Sequence, residues 1–143
     1  MNINIPVLVL LGFAAWTLLT LLVSVGVYRW SLILTGRQAI AEFPSDTPHG
    51  ADWYRRATRA HMNCIENLPV YCAIVVALVA TGLHSQLIDW LSMIMLGARV
   101  LQTSVHVAFV QTNAAVSVRF SLYTVQFICM TTMGILVAAA MTH

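Results

Sequence analysis

Four long apolar stretches, separated by shorter polar segments, dominate the pattern of the chain. The first lies between Ile3 and Val27 and contains no charged residue. A bilayer core about 30 Å thick is crossed by about 20 helical residues, so each stretch is long enough to span it. The pattern predicts four transmembrane spans, at about residues 5–28, 55–81, 87–110 and 116–141.

The polar segments indicate how these spans are connected. The first connection is long and contains a turn-forming run at residues 43–50, whereas the second and third are short and hold consecutive helices side by side. We therefore predict an all-α membrane protein, an antiparallel four-transmembrane-helix bundle forming one domain over residues 1–143. Asp52 is predicted to be the N-cap of the second helix, and Pro69 to kink it.

The composition indicates that lipid, not water, surrounds most of the chain. Of its 143 residues, 59% are hydrophobic and 8% are charged, whereas a soluble domain carries about a quarter charged residues. A net charge of +2 in so apolar a chain argues against a nucleic-acid partner. Three cysteines without metal-ligand spacing are interpreted as packing thiols, and no metal site is expected: Cys64, Cys72 and Cys129.

The arginines predict the orientation in the membrane. Positive charge concentrates in cytoplasmic connections, and Arg119 lies next to the third connection. The prediction places the first and third connections in the cytoplasm, both termini outside, and a site facing the cytoplasm; a bacterial inner membrane is the expected location. Five of the seven arginines lie in or beside the first connection: Arg29, Arg37, Arg55, Arg56 and Arg59.

Polar side chains are spaced to form one stripe on each of three spans. On the second, Arg56, Arg59, Asn63 and Glu66 fall within an arc of about 80° at 100° per residue. A charge at mid-bilayer costs roughly 2.5–3.5 kcal/mol, so the stripes are predicted to converge inward. The other two stripes have the same helical spacing: Arg99, Gln102 and His106 on the third span, and Arg119, Tyr123 and Gln126 on the fourth.

Two interpretations of these stripes remain open. Glu66 and Arg99 are a compensating pair that, with the amides Asn63 and Gln102, would hold the bundle together. The alternative is a binding site, because seven arginines against five acids leave basic groups that an anionic ligand would satisfy. His106 is open in the same way: a polar group or proton donor near a ligand, or a hydrogen-bonded interior histidine.

The sequence resembles a known family at four places. Residues 56–69, RATRAHMNCIENLP, resemble the second-helix signature of the MAPEG superfamily, the membrane-associated proteins in eicosanoid and glutathione metabolism. Residues 34–37 resemble the end of that family's first helix, residues 98–100 its third-helix arginine motif, and residues 118–123 the start of its fourth helix. The resemblance covers all four spans in order and includes microsomal glutathione transferase-type members.

The resemblance implies a homotrimer that binds glutathione between subunits near the cytoplasmic face. Arg59, Asn63 and Glu66 would hold its charged and amide groups, Arg119 would face the thiol as the catalytic residue, and Tyr123 would line the site. The remaining residues expected to contribute to binding are Arg37, Arg99, Gln102 and His106. The chain departs from the family pattern where His106 replaces a tyrosine frequent in eicosanoid-type members and Phe120 replaces a serine.

The expected activity is that of a glutathione transferase or peroxidase. A thiolate formed beside Arg119 would attack a lipophilic electrophile from the bilayer or reduce a hydroperoxide. The alternatives are a member that binds glutathione without turnover, and a non-enzymatic membrane ligand-binding protein or small anion-coupled transporter. Broken spans with paired Gly or Pro interruptions favour a transporter, and only Pro69 is such an interruption.

Overall fold

Four long helices make up nearly the whole fold. A computed structural model of the protein describes residues 4–44 and 49–142. Each helix is long and apolar enough to cross a membrane, which confirms the predicted all-α four-helix membrane bundle. The helices are α1 (Ile5–Leu34, with a π-helical segment at Leu22–Gly26), α2 (Asp52–Thr81), α3 (Gln86–Ala108) and α4 (Asn113–Met141), with a short 3₁₀ turn at Ile40–Glu42.

The helices begin and end at residues that differ somewhat from the predicted span limits. The first helix runs to Leu34 instead of residue 28, because Arg29 lies on the helix surface and does not end it. It ends where Gly36 adopts a φ of +65° and the amide of Arg37 donates to the carbonyl of Leu32 over 3.0 Å, the geometry of a Schellman cap. Thr112 caps α4, which begins at Asn113, three residues before the predicted start of that span.

The start of α2 also differs from the prediction. Ala51 occupies the cap position and makes no side-chain cap bond, so Asp52 is the first helical residue and not the N-cap. Its carboxylate forms an ion pair with Arg55 instead. The helix continues through Pro69 to Thr81, where Gly82 ends it with a φ of +65°.

An apolar core fills the half of the bundle near the chain termini. Phe13 from α1, Tyr71 from α2, Met95 from α3 and Met133 from α4 are fully buried there. The Tyr71 hydroxyl donates to a backbone carbonyl of α1 over 3.2 Å. Large apolar side chains on the outer surface remain exposed in the isolated chain, as expected of helices that face lipid.

Buried polar side chains gather in the opposite half, where the first and third connections lie.

The chain around the first connection packs closely against the helix ends. Tyr28 of α1 stacks on Tyr54 of α2 with ring centroids 4.0 Å apart, and Arg29 donates to the Tyr54 hydroxyl over 3.2 Å. Gly50 has a φ of +80°, and a Cβ there would lie 2.5 Å from the Tyr28 hydroxyl oxygen, so this close approach requires glycine.

Candidate functional site

The site is built on a buried network between α3 and α4, which pack extensively against each other. Gln102 is its centre. Its Oε1 accepts from Arg99 Nη1 over 3.0 Å and from Gln126 Nε2 over 3.1 Å, while its Nε2 donates to the carbonyl of Arg119 over 3.0 Å. The Gln102 carboxamide therefore links the buried guanidinium of Arg99 to the helical turn that carries Arg119, the predicted catalytic residue.

Arg119 is held from two directions. Its Nε donates to the carbonyl of Ala115 over 3.2 Å, and its Nη1 lies 3.2 Å from Nδ1 of His106. A guanidinium can only donate, so Nδ1 of His106 accepts and the imidazole is neutral in this arrangement. These contacts fix the direction of the Arg119 side chain while leaving Nη2 without a partner among the described residues.

Three helices meet at a cavity of about 250 Å³. α2 contributes Arg59 and Asn63, α3 contributes Gln102 and His106, and α4 contributes Arg119 and Tyr123 along with others. Six of the nine residues predicted from the sequence thus line one cavity. The rest of the lining is Gln111, Val116 and Phe120.

The three other predicted residues lie elsewhere. Arg37 is exposed after the end of α1 and lines neither this cavity nor the larger one beside it. Glu66 is exposed on α2, further from the first connection than Asn63. Arg99 is 1% exposed and lies below the cavity, reaching it through Gln102.

The predicted Glu66–Arg99 pair does not form in the described part of the chain, where the ion pair present is Arg55–Asp52. Arg99 instead donates to Gln102 and lies over the Phe13 ring, with its guanidinium carbon 5.7 Å from the ring centroid. Its Nε and Nη2 are buried and find no hydrogen-bond partner among the described residues. A cation–π contact and a neutral amide therefore replace the expected carboxylate.

The prediction that all three stripes point inward was wrong for α2 and for one residue of the α4 stripe, Tyr123, which is 44% exposed. Arg99, Gln102 and His106 are buried, and so are Arg119 and Gln126. On α2, however, Arg59 and Glu66 are exposed, and Arg56 and Asn63 are only half-buried. The face of α2 that packs into the bundle buries Ala57, Ala60 and Cys64 together with His61. The polar stripe lies beside this face, and its members Arg59 and Asn63 line the outer edge of the cavity.

A second, larger cavity adjoins the first. Its volume is about 640 Å³, and it shares Arg59, His106 and Gln111 with the smaller one. It extends under the first connection towards Arg29 and Tyr54.

Two contributors to the site were not assigned a role from the sequence. Gln126 belongs to the predicted polar stripe of α4, but only the structure shows that it shares the Gln102 oxygen with Arg99. Phe13 carried no signal, because an aromatic residue in an apolar span is ordinarily a packing residue. Its contact with Arg99 depends on how α1 packs against α3.

The fold and the cavities define a class: a multi-pass helical membrane protein with a polar, arginine-lined cleft at one end of its bundle. The model of the MAPEG family matches residues 8–139, which is nearly the whole chain. The chain therefore belongs to the MAPEG family. No match was found among curated proteins or among solved structures.

Proposed function

We propose that the protein is an integral membrane glutathione-dependent enzyme that activates the glutathione thiol for conjugation to lipophilic electrophiles or for reduction of hydroperoxides. The observation that carries the proposal is the convergence of Arg59 and Arg119 with Asn63, Gln102 and Tyr123 on one cavity. Glutathione has two carboxylates, two amide bonds and a thiol. Guanidinium groups suit its carboxylates, and carboxamides suit its peptide groups.

Arg119 is the proposed catalytic residue. A free thiol has a pKa of about 8.5, and only the thiolate is a good nucleophile. A guanidinium beside the sulfur favours the anion, and each unit by which it lowers the thiol pKa corresponds to about 1.36 kcal/mol. Because His106 and a backbone carbonyl hold Arg119, the Nη2 end of its guanidinium is available to the sulfur.

The second substrate would reach the sulfur from the bilayer. Phe120 and Val116 line the same cavity as Arg119 and are exposed on the outer face of α4. An apolar electrophile dissolved in lipid therefore has a short path to the thiolate. In conjugation the sulfur forms the new bond to carbon and the electrophile's leaving group departs.

A homotrimer is part of the proposal. Glu66 and Arg59 lie exposed on the outside of the single chain. Glu66 lies about two turns further along α2 than Arg59, and the cost of a charge that faces lipid rises to roughly 2.5–3.5 kcal/mol at mid-bilayer. A neighbouring copy that covers α2 would remove both groups from lipid and close the open side of the small cavity. By the same proposal the site faces the cytoplasm from a bacterial inner membrane.

Equilibrium dialysis with labelled glutathione, followed by an assay with a generic aryl halide and a lipid hydroperoxide, tests this function. Arg59→Ala is expected to weaken glutathione binding by about tenfold or more, since a charge-assisted hydrogen bond contributes about 1.5–3 kcal/mol. Ser121→Ala, on the exposed face of α4 and outside both cavities, is the matched control.

The outcomes separate the alternatives. Binding together with conjugation or peroxidase activity supports the enzyme. Binding without turnover would indicate a glutathione-binding protein, and absence of binding would favour a transporter or another ligand-binding role.

A further inference from the structure

The larger cavity is the most cationic feature of the described chain. Four arginines line it: Arg29, Arg55, Arg56 and Arg59. Among the described residues, Asp52 brings the one carboxylate to the lining, and it is paired with Arg55. The cavity therefore keeps a clear excess of positive charge, which the thiol chemistry at Arg119 does not require.

Aromatic packing and a required glycine give the cavity a fixed wall. Arg29 bonds to the Tyr54 hydroxyl, and its guanidinium carbon lies 5.2 Å from the centroid of Phe43. Tyr54 stacks on Tyr28, against which Gly50 fits closely. The guanidinium of Arg29 is thus pre-positioned, so binding an anion there costs little side-chain entropy.

The wall also presents a hydroxyl without a partner. Thr58 Oγ1 is buried at the lining and has no hydrogen-bond partner among the described residues. Several other helical serines and threonines here, such as Thr103, donate to a carbonyl one turn earlier. Rotation of the Thr58 side chain about χ1 would turn this unpartnered hydroxyl from the wall towards an oxyanion in the cavity.

The remaining lining is apolar. Met62 on α2 and Val110 after α3 contribute side chains that are exposed at the mouth of the cavity. The cavity thus combines clustered guanidinium groups with apolar side chains at the end of a membrane bundle. A small hydrophilic anion would use only the first of these, whereas a lipid headgroup joined to its acyl chains would use both.

We propose that this cavity binds the phosphate of an anionic membrane phospholipid. Guanidinium groups match phosphate oxygens in fork geometry, and basic pockets between transmembrane helices on the cytoplasmic side bind anionic headgroups. Arg56 and Arg29 approach the phosphate from two helices, Thr58 donates to it, and the glycerol end of the lipid lies against Met62. Arg59 and His106, shared with the smaller cavity, place the lipid next to the proposed thiol site.

Native mass spectrometry of the full chain in detergent tests the proposal. Short-chain phosphatidylglycerol and phosphatidylcholine with identical acyl chains are titrated without glutathione, so the result is independent of the proposed enzyme activity. Phosphatidylglycerol is expected to bind more tightly. Arg56→Gln is expected to weaken that binding about tenfold, because it removes a charge-assisted contact.

Two further variants accompany the measurement, one inside the cavity and one outside it. Arg55→Gln removes a cavity arginine whose side chain forms an exposed ion pair, so it tests the site with little risk to folding. Arg37→Gln removes the same charge beside the same connection but outside the cavity. It is expected to weaken binding by no more than about twofold, since a charge without a contact is screened over about 8 Å at 0.15 M salt.

Equal losses in Arg37→Gln and Arg56→Gln would overturn the proposal, because they would indicate a diffuse attraction to anionic lipid. Equal affinity for phosphatidylcholine would overturn it as well. In a competition arm with millimolar inorganic phosphate, retention of the lipid supports a lipid site. Complete displacement there would assign the cavity to soluble phosphate compounds instead.

Discussion

Gln102→Leu is the substitution that most directly tests the buried network. Leucine is similar in size but offers no hydrogen bonds. Arg99 therefore loses its acceptor, Gln126 keeps only its bond to the carbonyl of Leu122, and the Arg119 carbonyl loses a donor. A hydrogen bond to a charged group contributes about 1.5–3 kcal/mol. Interhelical hydrogen bonds in membranes average about 0.6 kcal/mol each. The expected destabilisation is therefore about 3–4 kcal/mol.

Gln102→Glu is the informative companion. Glutamate keeps the oxygen that accepts from Arg99 and from Gln126, and it gives the buried guanidinium a counter-charge. The donation to the Arg119 carbonyl is lost, and a carboxylate oxygen then faces that carbonyl oxygen, so part of the gain is offset by repulsion between two acceptors. We expect this variant to be at least about 2 kcal/mol more stable than Gln102→Leu, because it does not leave a buried charge unpaired.

Reversible unfolding in mixed lipid–detergent micelles, followed by circular dichroism, measures both variants. Ser104→Ala, at an exposed position on the same helix, is the control and is expected to change stability by less than about 0.5 kcal/mol. If Gln102→Leu unfolds at the same denaturant concentration as Gln102→Glu, then Gln102 does not compensate Arg99 and the network as described is incorrect.

Three other substitutions test local features of the fold, each by thermal unfolding. Gly50→Ala should destabilise the first connection by about 1–3 kcal/mol, because alanine is strained at a φ of +80° and its Cβ meets Tyr28. Unchanged stability would mean that residue 50 does not pack closely against Tyr28. Thr20→Val removes the 3.0 Å hydrogen bond with His61 Nδ1 and the 2.7 Å bond that the same hydroxyl donates to the carbonyl of Thr17. The loss should be about 1 kcal/mol, and a loss above about 2 kcal/mol would contradict simple bonds of this kind. Tyr71→Phe should cost about 1 kcal/mol for its lost hydrogen bond, and a stabilised variant would refute that contact.

The fold could be predicted from the sequence because a membrane span depends on length and hydropathy, which are properties of a segment alone. Segment ends are less predictable. The polarity that begins at Arg29 predicts an end of the first span near residue 28, whereas the helix continues to Leu34 and the backbone turns at Gly36. Backbone hydrogen bonds continue along a helix that emerges from the lipid, so polarity does not mark its end.

The candidate site was predictable to the extent that it follows helical periodicity. Spacing placed Arg99, Gln102 and His106 on one face, and the structure buries that face. Periodicity does not say which way a face points. Arg59 and Glu66 share a stripe that lies on the outside of the single chain. Charges avoid lipid, so a covered stripe is expected, but the periodicity of one chain does not specify what covers it.

The partner of Arg99 could not be predicted for a related reason. Counting charges favours Glu66, but a guanidinium also donates to carboxamide oxygens and packs over aromatic rings. Gln102 and Phe13 supply these from α3 and α1. Which of several acceptable partners is used depends on the packing of helices that are distant in sequence.

The most direct test of the central proposal is the pH titration of glutathione bound to the purified protein, followed by thiolate difference absorbance. If Arg119 stabilises the thiolate, the pKa of the bound thiol lies below its free value of about 8.5, and Arg119→Ala returns it towards that value. Ser121→Ala should leave the titration unchanged. An identical titration for the wild type and for Arg119→Ala, with glutathione still bound, would contradict the role of Arg119 and with it the proposed mechanism.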